Sequence, residues 1–228
     1  MNLAVFSDIH GNVYSLEKAL DIMQAYRPDG YLFLGDMAGY YYYQNECISL
    51  LNNLQNLISI KGNHDEYFIN SLKDKKYLKE LDTKYGKAYT MLHQSITTKS
   101  LDFFNNLNIC EKNKLYEAYH GSPNNYLQEY IYPDTDIKFE TRVPIVFLGH
   151  THYPMKKEVN DTLILNPGSI GQPRDYNQGS FMIVDTDDKR VENIRYEYNK
   201  KSLIETVIAS NDNKYLIDIL KREIDEKN

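Results

Sequence analysis

Residues 147–154, FLGHTHYP, place two histidines two positions apart directly after an apolar run, bracketed by Gly149 and Pro154. The chain has six histidines, and five of them stand at positions of this kind. LAVFS (3–7) is followed by Asp8 and His10, and YLFLG (31–35) by Asp36. LISIKG (57–62) leads to Asn63, His64 and Asp65, and KLYEAY (114–119) to His120. Short apolar runs bounded by turn signals read as buried strands. In open α/β sheets, ligands bind in the crevice beyond the carboxyl ends of the strands. The five runs therefore predict a fold that gathers remote acidic and imidazole side chains at one spot.

The segments between the runs support such a sheet. Asn12 can cap a helix over 13–26, where Leu16, Ala19, Leu20 and Met23 recur at helical spacing and Pro28 ends the pattern. NECISLLNNL (45–54) reads as the next helix. Strands separated by helices of this length imply right-handed βαβ units and a parallel sheet. Residues 66–108 are mostly helical in pattern and form a long excursion from that sheet. MKKEV, TLIL, SFMIV and RVENIRYEY then alternate with turn signals such as VNDT and TDDK, which predicts a second, largely antiparallel sheet. The tail 202–226 has helical spacing. With no repeat and no linker-like stretch, residues 1–228 read as a single domain with a helical insertion at 66–108 and a helical tail.

Composition narrows the chemistry. The two cysteines, Cys47 and Cys110, lack CxxC spacing, so neither a disulfide framework nor a thiolate zinc site is expected. Any metal must be held by oxygen and imidazole nitrogen. A net charge of −6 argues against long nucleic acid and against an anionic membrane surface. It leaves room for a small phosphorylated substrate, because bound cations invert the local field. No apolar stretch approaches the ~18 residues of a membrane span. MNLAVFSDIHGN lacks the basic start of a signal peptide, so a cytoplasmic location is expected. The 21 tyrosines leave a homo-oligomeric interface open.

Carboxylate, amide oxygen and imidazole suit Mn²⁺, Fe, Zn²⁺ or Co²⁺. Asp8, His10, Asp36, Asn63, His120, His150 and His152 are too many for one ion and fit two. Two ions ~3.5–4 Å apart clamp the oxygens of an in-line displacement and lower the pKa of a bound water. A carboxylate must bridge ions that close, and Asp36 stands alone on a central strand. His93, in TMLHQS, reads instead as an ordinary helix residue. Asp8 taken alone could equally cap a helix.

The motifs DIHGN (8–12), GD (35–36), GNHD (62–65), HG (120–121) and GHTH (149–152) resemble those of the calcineurin-like metallophosphoesterases in order and rough spacing. NPGSIGQPRD (166–175) and NECI (45–48) are similar to the small prokaryotic, phosphodiesterase-type branch. The resemblance implies an α/β fold, a four-layer α/β/β/α sandwich with two facing mixed sheets. It implies a first metal on Asp8, His10, Asp36 and His152 and a second on Asp36, Asn63, His120 and His150. Two divalent ions would then be the cofactors, with Mn first and Fe, Zn, Ni or Co fitting the same donors. It further implies hydrolysis by a hydroxide held on the metals, with His64 as general acid at the leaving oxygen. Asp65 either orients the His64 ring or caps the following helix.

Three departures refine this expectation. GDMAGY replaces the GDxxDRG of the protein phosphatases and lacks their arginine, which favours a phosphodiester over a phosphomonoester or phosphoprotein substrate. Tyr40 to Tyr43 follow Asp36 closely, either to stack on a nucleobase or to pack on the 66–108 helices. Arg174 either grips phosphate oxygens in a fork or pairs with a carboxylate such as Asp175. Two other readings remain: a non-catalytic interaction module of the same fold, and an amidohydrolase. The amidohydrolase barrel would place the HxH pair early in a longer chain.

Overall fold

The computed structural model describes residues 1–222. Strands β1 (Asn2–Phe6), β2 (Gly30–Phe33) and β3 (Leu57–Ser59) are parallel neighbours joined by helices α1 (Val13–Ala25) and α2 (Gln44–Leu51). The Asn12 side chain accepts from the Ser15 amide at 3.2 Å and starts α1, which buries Leu16, Ala19, Leu20 and Met23 on one face. Four helices follow: α3 (Asn63–Ser71), α4 (Lys75–Tyr85), α5 (Ala88–Ser95) and α6 (Thr98–Asn106). Asp74 caps α4 by accepting from Lys76 and Tyr77, and Gly86, at φ +90°, ends it.

The second sheet contains β4 (Cys110–Lys112), β5 (Tyr116–Tyr119), β6 (Ile145–Phe147), β7 (Pro154–Val159) and β8 (Thr162–Pro167). Its order is β4-β5-β6-β8-β7, parallel in the middle and antiparallel at both edges. The C-terminal strands do not form the separate antiparallel sheet expected from sequence. Hairpin β7–β8 joins the second sheet. Hairpin β9 (Gly179–Asp185) and β10 (Arg190–Tyr196) extends the first, giving the order β10-β9-β1-β2-β3. The reason lies in SFMIV, which is apolar on both faces. Phe181 and Ile183 pack under the helices, while Met182 and Val184 face the other sheet. Such a strand belongs inside a sheet. Both sheets are thus mixed, and each has five strands.

The two sheets meet across Leu3, Val5, Leu32, Leu34, Ile145, Phe147, Leu163 and Leu165. Alternate residues Ala4, Phe6, Tyr31 and Phe33 point outward, under the helical layer. Outside the second sheet, Val146, Leu148 and Ile164 are covered by Ile131 and Phe139 of the segment 122–143. That fourth layer is irregular chain rather than helix. Among the described residues, no helix is long and apolar enough to cross a membrane.

Helices α7 (Lys201–Ala209) and α8 (Tyr215–Leu220) close the described chain, so the last residues of the predicted helical tail lie outside it. They receive the tyrosine run. Tyr40 and Tyr41 pack with Leu203, Val207, Leu216 and Leu220. The Tyr41 hydroxyl donates to Leu216 O at 3.1 Å, and that of Tyr42 to Asp212 at 2.8 Å. The run therefore packs mainly on the C-terminal helices; within 66–108, Tyr85 meets it at the Tyr40 ring.

Candidate metal centre

All seven predicted ligands lie at strand ends and are buried. Asp8 and His10 follow β1, Asp36 follows β2 and Asn63 opens α3 after β3. His120 follows β5, and His150 and His152 stand between β6 and β7. Five of them hold a left-handed backbone: Asp8 (φ 56°), His10 (50°), Asp36 (65°), His150 (67°) and His152 (63°). For a residue other than glycine this costs about 1–2 kcal/mol. Such strain persists only where the surroundings over-determine it, and it clusters at functional sites. Here cross-strand bonds hold it in place. Asp8 N donates to Gly35 O at 2.9 Å, His10 N to Asp36 O at 3.0 Å and Gly171 N to Asp8 O at 2.9 Å.

Three imidazoles are aimed by backbone carbonyls. Nδ1 of His10 donates to Ala38 O (2.8 Å), that of His120 to Leu34 O (2.7 Å) and that of His152 to Gln172 O (2.6 Å). Each ring then turns Nε2 inward, as metal-ligating histidines do. The Nε2 atoms of His10 and His152 stand 3.2 Å apart. With both Nδ1 atoms protonated, two lone pairs face each other there, an arrangement that a cation between them would relieve.

The carboxylates complete the cup. Asp36 Oδ1 accepts from the His64 amide at 2.8 Å. Its Oδ2 lies 3.3 Å from His120 Nε2 and 3.8 Å from His10 Nε2. Asp8 Oδ1 is 3.3 Å from His152 Nε2, yet among the described residues neither Asp8 oxygen has a hydrogen-bond partner, and His150 Nε2 has none either. Buried polar atoms are nearly always paired, so these atoms, without a protein partner, fit a cation. Ligand atoms of Asp8, His10, Asp36 and His152 lie within 4.8 Å of one another, and so do those of Asp36, His120 and His150. Asn63 Oδ1 is 3.0 Å from His120 Nε2 and extends the second group. The donor set fits divalent metal, and Asp36 belongs to both groups.

Protonation follows from burial and charge. Burial holds His10 down to about 4 and His150 to about 3, so both rings are neutral and able to ligate. Burial also lowers His120, but the Asp36 charge overrides it and lifts that ring to about 9. At Asp8 burial acts upward, and the His152 and His120 rings outweigh it, drawing the carboxyl down to about 2. A metal must displace the His120 proton. Its apparent affinity is therefore expected to rise with pH toward about 9, with proton release visible as buffer-dependent binding enthalpy.

Of the two roles read for Asp65, the structure shows the helix cap and not a contact with the His64 ring. Its carboxylate accepts from the amides of Asp36 (2.9 Å), Met37 (2.8 Å), Ala38 (2.9 Å) and Gly62 (2.9 Å). It caps α3 and clamps the loop after β2, and the His64 ring is oriented without it. That ring instead meets the Tyr89 hydroxyl, 2.7 Å from Nδ1. Burial holds the His64 imidazole well below its ordinary pKa, against the pull of Asp36. Tyr40 lies edge-on to His10, with centroids 4.6 Å apart, and its hydroxyl accepts from Arg174 Nη2 at 3.3 Å. Asp175 pairs with Arg195, and among the described residues the buried Arg174 Nε has no partner. His93 is remote from the cup, bonded to Ser71 at 2.9 Å.

Sequence reasoning passed over Tyr89, and also Tyr130, whose ring covers His150 at a centroid distance of 3.8 Å. It also passed over Asn166, which donates to Gly149 O and Thr151 Oγ1 and holds the GHTH turn. Tyr89 and Tyr130 belong to no motif. Asn166 opens NPGS, and that was its only signal.

The fold and the cup together define a metallophosphoesterase. The chain belongs to the calcineurin-like phosphoesterase superfamily, whose domain model matches residues 1–189. It is 31% identical over 232 residues to the uncharacterized protein MJ0912 of Methanocaldococcus jannaschii, covering 91% of this chain and 92% of that one. A crystal structure of a metallophosphoesterase from Sphaerobacter thermophilus superposes with a TM-score of 0.79 at 27% identity, over 97% of this chain and 99% of that one. The hypothetical protein PH1004 of Pyrococcus horikoshii OT3 shares the fold, with a TM-score of 0.81 at 22% identity over 96% and 97% of the two chains.

Proposed function

We propose that the chain is a dinuclear metal-dependent phosphoesterase that hydrolyses a phosphodiester in a small, nucleotide-like substrate. The observation that carries this reading is Asp36, whose Oδ2 lies 3.3 Å from His120 Nε2 and 3.8 Å from His10 Nε2 and which is common to both ligand groups. Asp8, His10, Asp36 and His152 would hold one ion, and Asp36, Asn63, His120 and His150 the other. Mn²⁺ is the favoured ion, and Fe, Zn, Ni and Co suit the same donors. Bound there, the ions supply Lewis-acid neutralisation of phosphate charge and an activated water.

The chain's own side chains orient the ester. Arg174 would hold a phosphate oxygen, since its Nε has no partner among the described residues and its Nη2 is steadied by Tyr40. His64 would serve the leaving oxygen as hydrogen donor, the general-acid position. The preference for a diester rests on Tyr40 standing where the phosphatase motif places an arginine, which leaves Arg174 as the guanidinium of the cup.

Turnover of bis(p-nitrophenyl) phosphate against p-nitrophenyl phosphate, with each divalent ion in turn, tests the proposal. The diester is expected to react faster. A faster monoester would make the enzyme a phosphomonoesterase or protein phosphatase, and a folded protein inert with every ion would leave only an interaction module. His64→Ala is expected to cost ~10²–10⁴-fold on alkyl leaving groups and little on nitrophenolate, which needs no proton.

Ion binding has a readout apart from turnover. At 100 times Kd, Mn²⁺ adds ~2.7 kcal/mol to folding stability. For a chain of this length that raises Tm by roughly 5–10 °C over chelator-treated protein, measured by calorimetry. An unchanged Tm would speak against the cup as a metal site.

A further inference from the structure

The His64 ring sits among Tyr40, Tyr67, Tyr85 and Tyr89, with centroids 5.0, 5.5, 4.6 and 6.2 Å away, and His10 at 5.0 Å. The backbone amide of His64 is committed to Asp36. Among the described residues, the one polar group bonded to the ring is the Tyr89 hydroxyl, 2.7 Å from Nδ1. Tyr89 is fully buried on α5, and its hydroxyl has no other hydrogen-bond partner among those residues. Gly39 makes the approach possible: a Cβ at that position would stand 2.5 Å from His64 Nδ1.

The direction of this hydrogen bond follows from what each atom has to offer. A phenol carries one hydrogen and must place it on an acceptor when buried. Among the described residues the hydroxyl is hydrogen-bonded to no carbonyl or carboxylate, so the acceptor is His64 Nδ1. Were Nδ1–H the donor instead, the phenolic hydrogen would be stranded among aromatic rings, at a cost of about 1–3 kcal/mol. In the neutral ring the hydrogen then resides on Nε2.

We infer that Tyr89 is a positioning residue that fixes His64 as the Nε2–H tautomer, so that the ring enters the reaction as a preset hydrogen-bond donor to the ester oxygens. This rests on the phosphoesterase reading for its catalytic consequence, but the tautomer itself does not. The ring-orienting role that sequence left open for Asp65 passes in this chain to a phenol from a helix outside every motif.

The test is a long-range ¹H–¹⁵N spectrum of histidine-labelled protein loaded with diamagnetic Zn²⁺, with the His64 signals assigned through His64→Gln. Wild type is expected to show a protonated Nε2 and a bare, hydrogen-bonded Nδ1. A protonated Nδ1 would overturn the inference without any variant being made. Tyr89→Phe removes the donor and should release the ring into a tautomer mixture. Gly39→Ala, which pushes the ring off the hydroxyl, should do the same.

In kinetics Tyr89→Phe is expected to lower kcat on alkyl diesters ~10–100-fold, the usual loss when an orienting partner is removed. KM and the rate on nitrophenyl esters should hold. Equal losses on both leaving groups, or a tautomer that survives Tyr89→Phe, would sink the positioning role. If no ester is turned over but the tautomer is as stated, the proposed function fails and the tautomer assignment stands.

Discussion

Asp36→Asn is expected to reduce kcat/KM by ~10³-fold or more, because in the proposed two-ion centre it weakens both sites at once. Each ion is worth several kcal/mol of transition-state charge stabilisation, and 1.36 kcal/mol is tenfold in rate. Among the described residues, Asp36 is the one side chain common to both ligand groups. Asp36 Oδ2 faces His120 at 3.3 Å and His10 at 3.8 Å, whereas Asp8 belongs to one group only. Asp8→Asn should therefore spare the second ion. Calorimetric titration separates the two cases. Asp36→Asn should show no tight site for Mn²⁺, and Asp8→Asn should show one. Two tight sites in Asp36→Asn would remove the shared-ligand geometry on which the proposed function depends.

The second large effect falls on stability. Asp65 accepts from the amides of Asp36, Met37, Ala38 and Gly62. Asp65→Ala leaves four buried donors without an acceptor, each worth about 1–3 kcal/mol, so roughly 4 kcal/mol or more is lost. That approaches the whole stability of a marginal domain, about 5–15 kcal/mol. Asp65→Asn keeps the shape but brings an NH₂ group against amide N–H groups, and should lose about half as much. Urea unfolding measures both. In whatever Asp65→Asn protein folds, alkyl and nitrophenyl esters should slow by the same factor, since the loop carrying Asp36 is loosened while the His64–Tyr89 bond remains. A stable variant with a selective loss on poor leaving groups would return Asp65 to a role at the His64 ring.

Much of the cup was legible in the chain because ligand chemistry demands particular residue types. Asp, Asn and His suit an oxygen-and-imidazole site, and they recur after short apolar runs whose length and turn signals mark them as strands. Helix α1 was equally plain, since Asn12 and the Leu16–Ala19–Leu20–Met23 stripe act within one or two turns. The partners that aim the ligands left no such trace. His10, His120 and His152 are oriented by the carbonyls of Ala38, Leu34 and Gln172, and every residue type carries a carbonyl. Tyr89 is one of 21 tyrosines, and its sequence context is that of any amphipathic helix.

Sequence by itself determined the alternation of strands and helices, the residue types at the strand ends and the hairpins near the C-terminus. These depend on interactions within a few residues, where periodicity and capping operate. Tertiary structure alone decided which sheet each hairpin entered, whether Asp65 met a ring or four amides, and what the Tyr40–Tyr43 run packed against. Those outcomes turn on distances between segments far apart in the chain. An apolar strand or a free carboxylate is chemically ready for several partners, and only the packed core selects the one within reach.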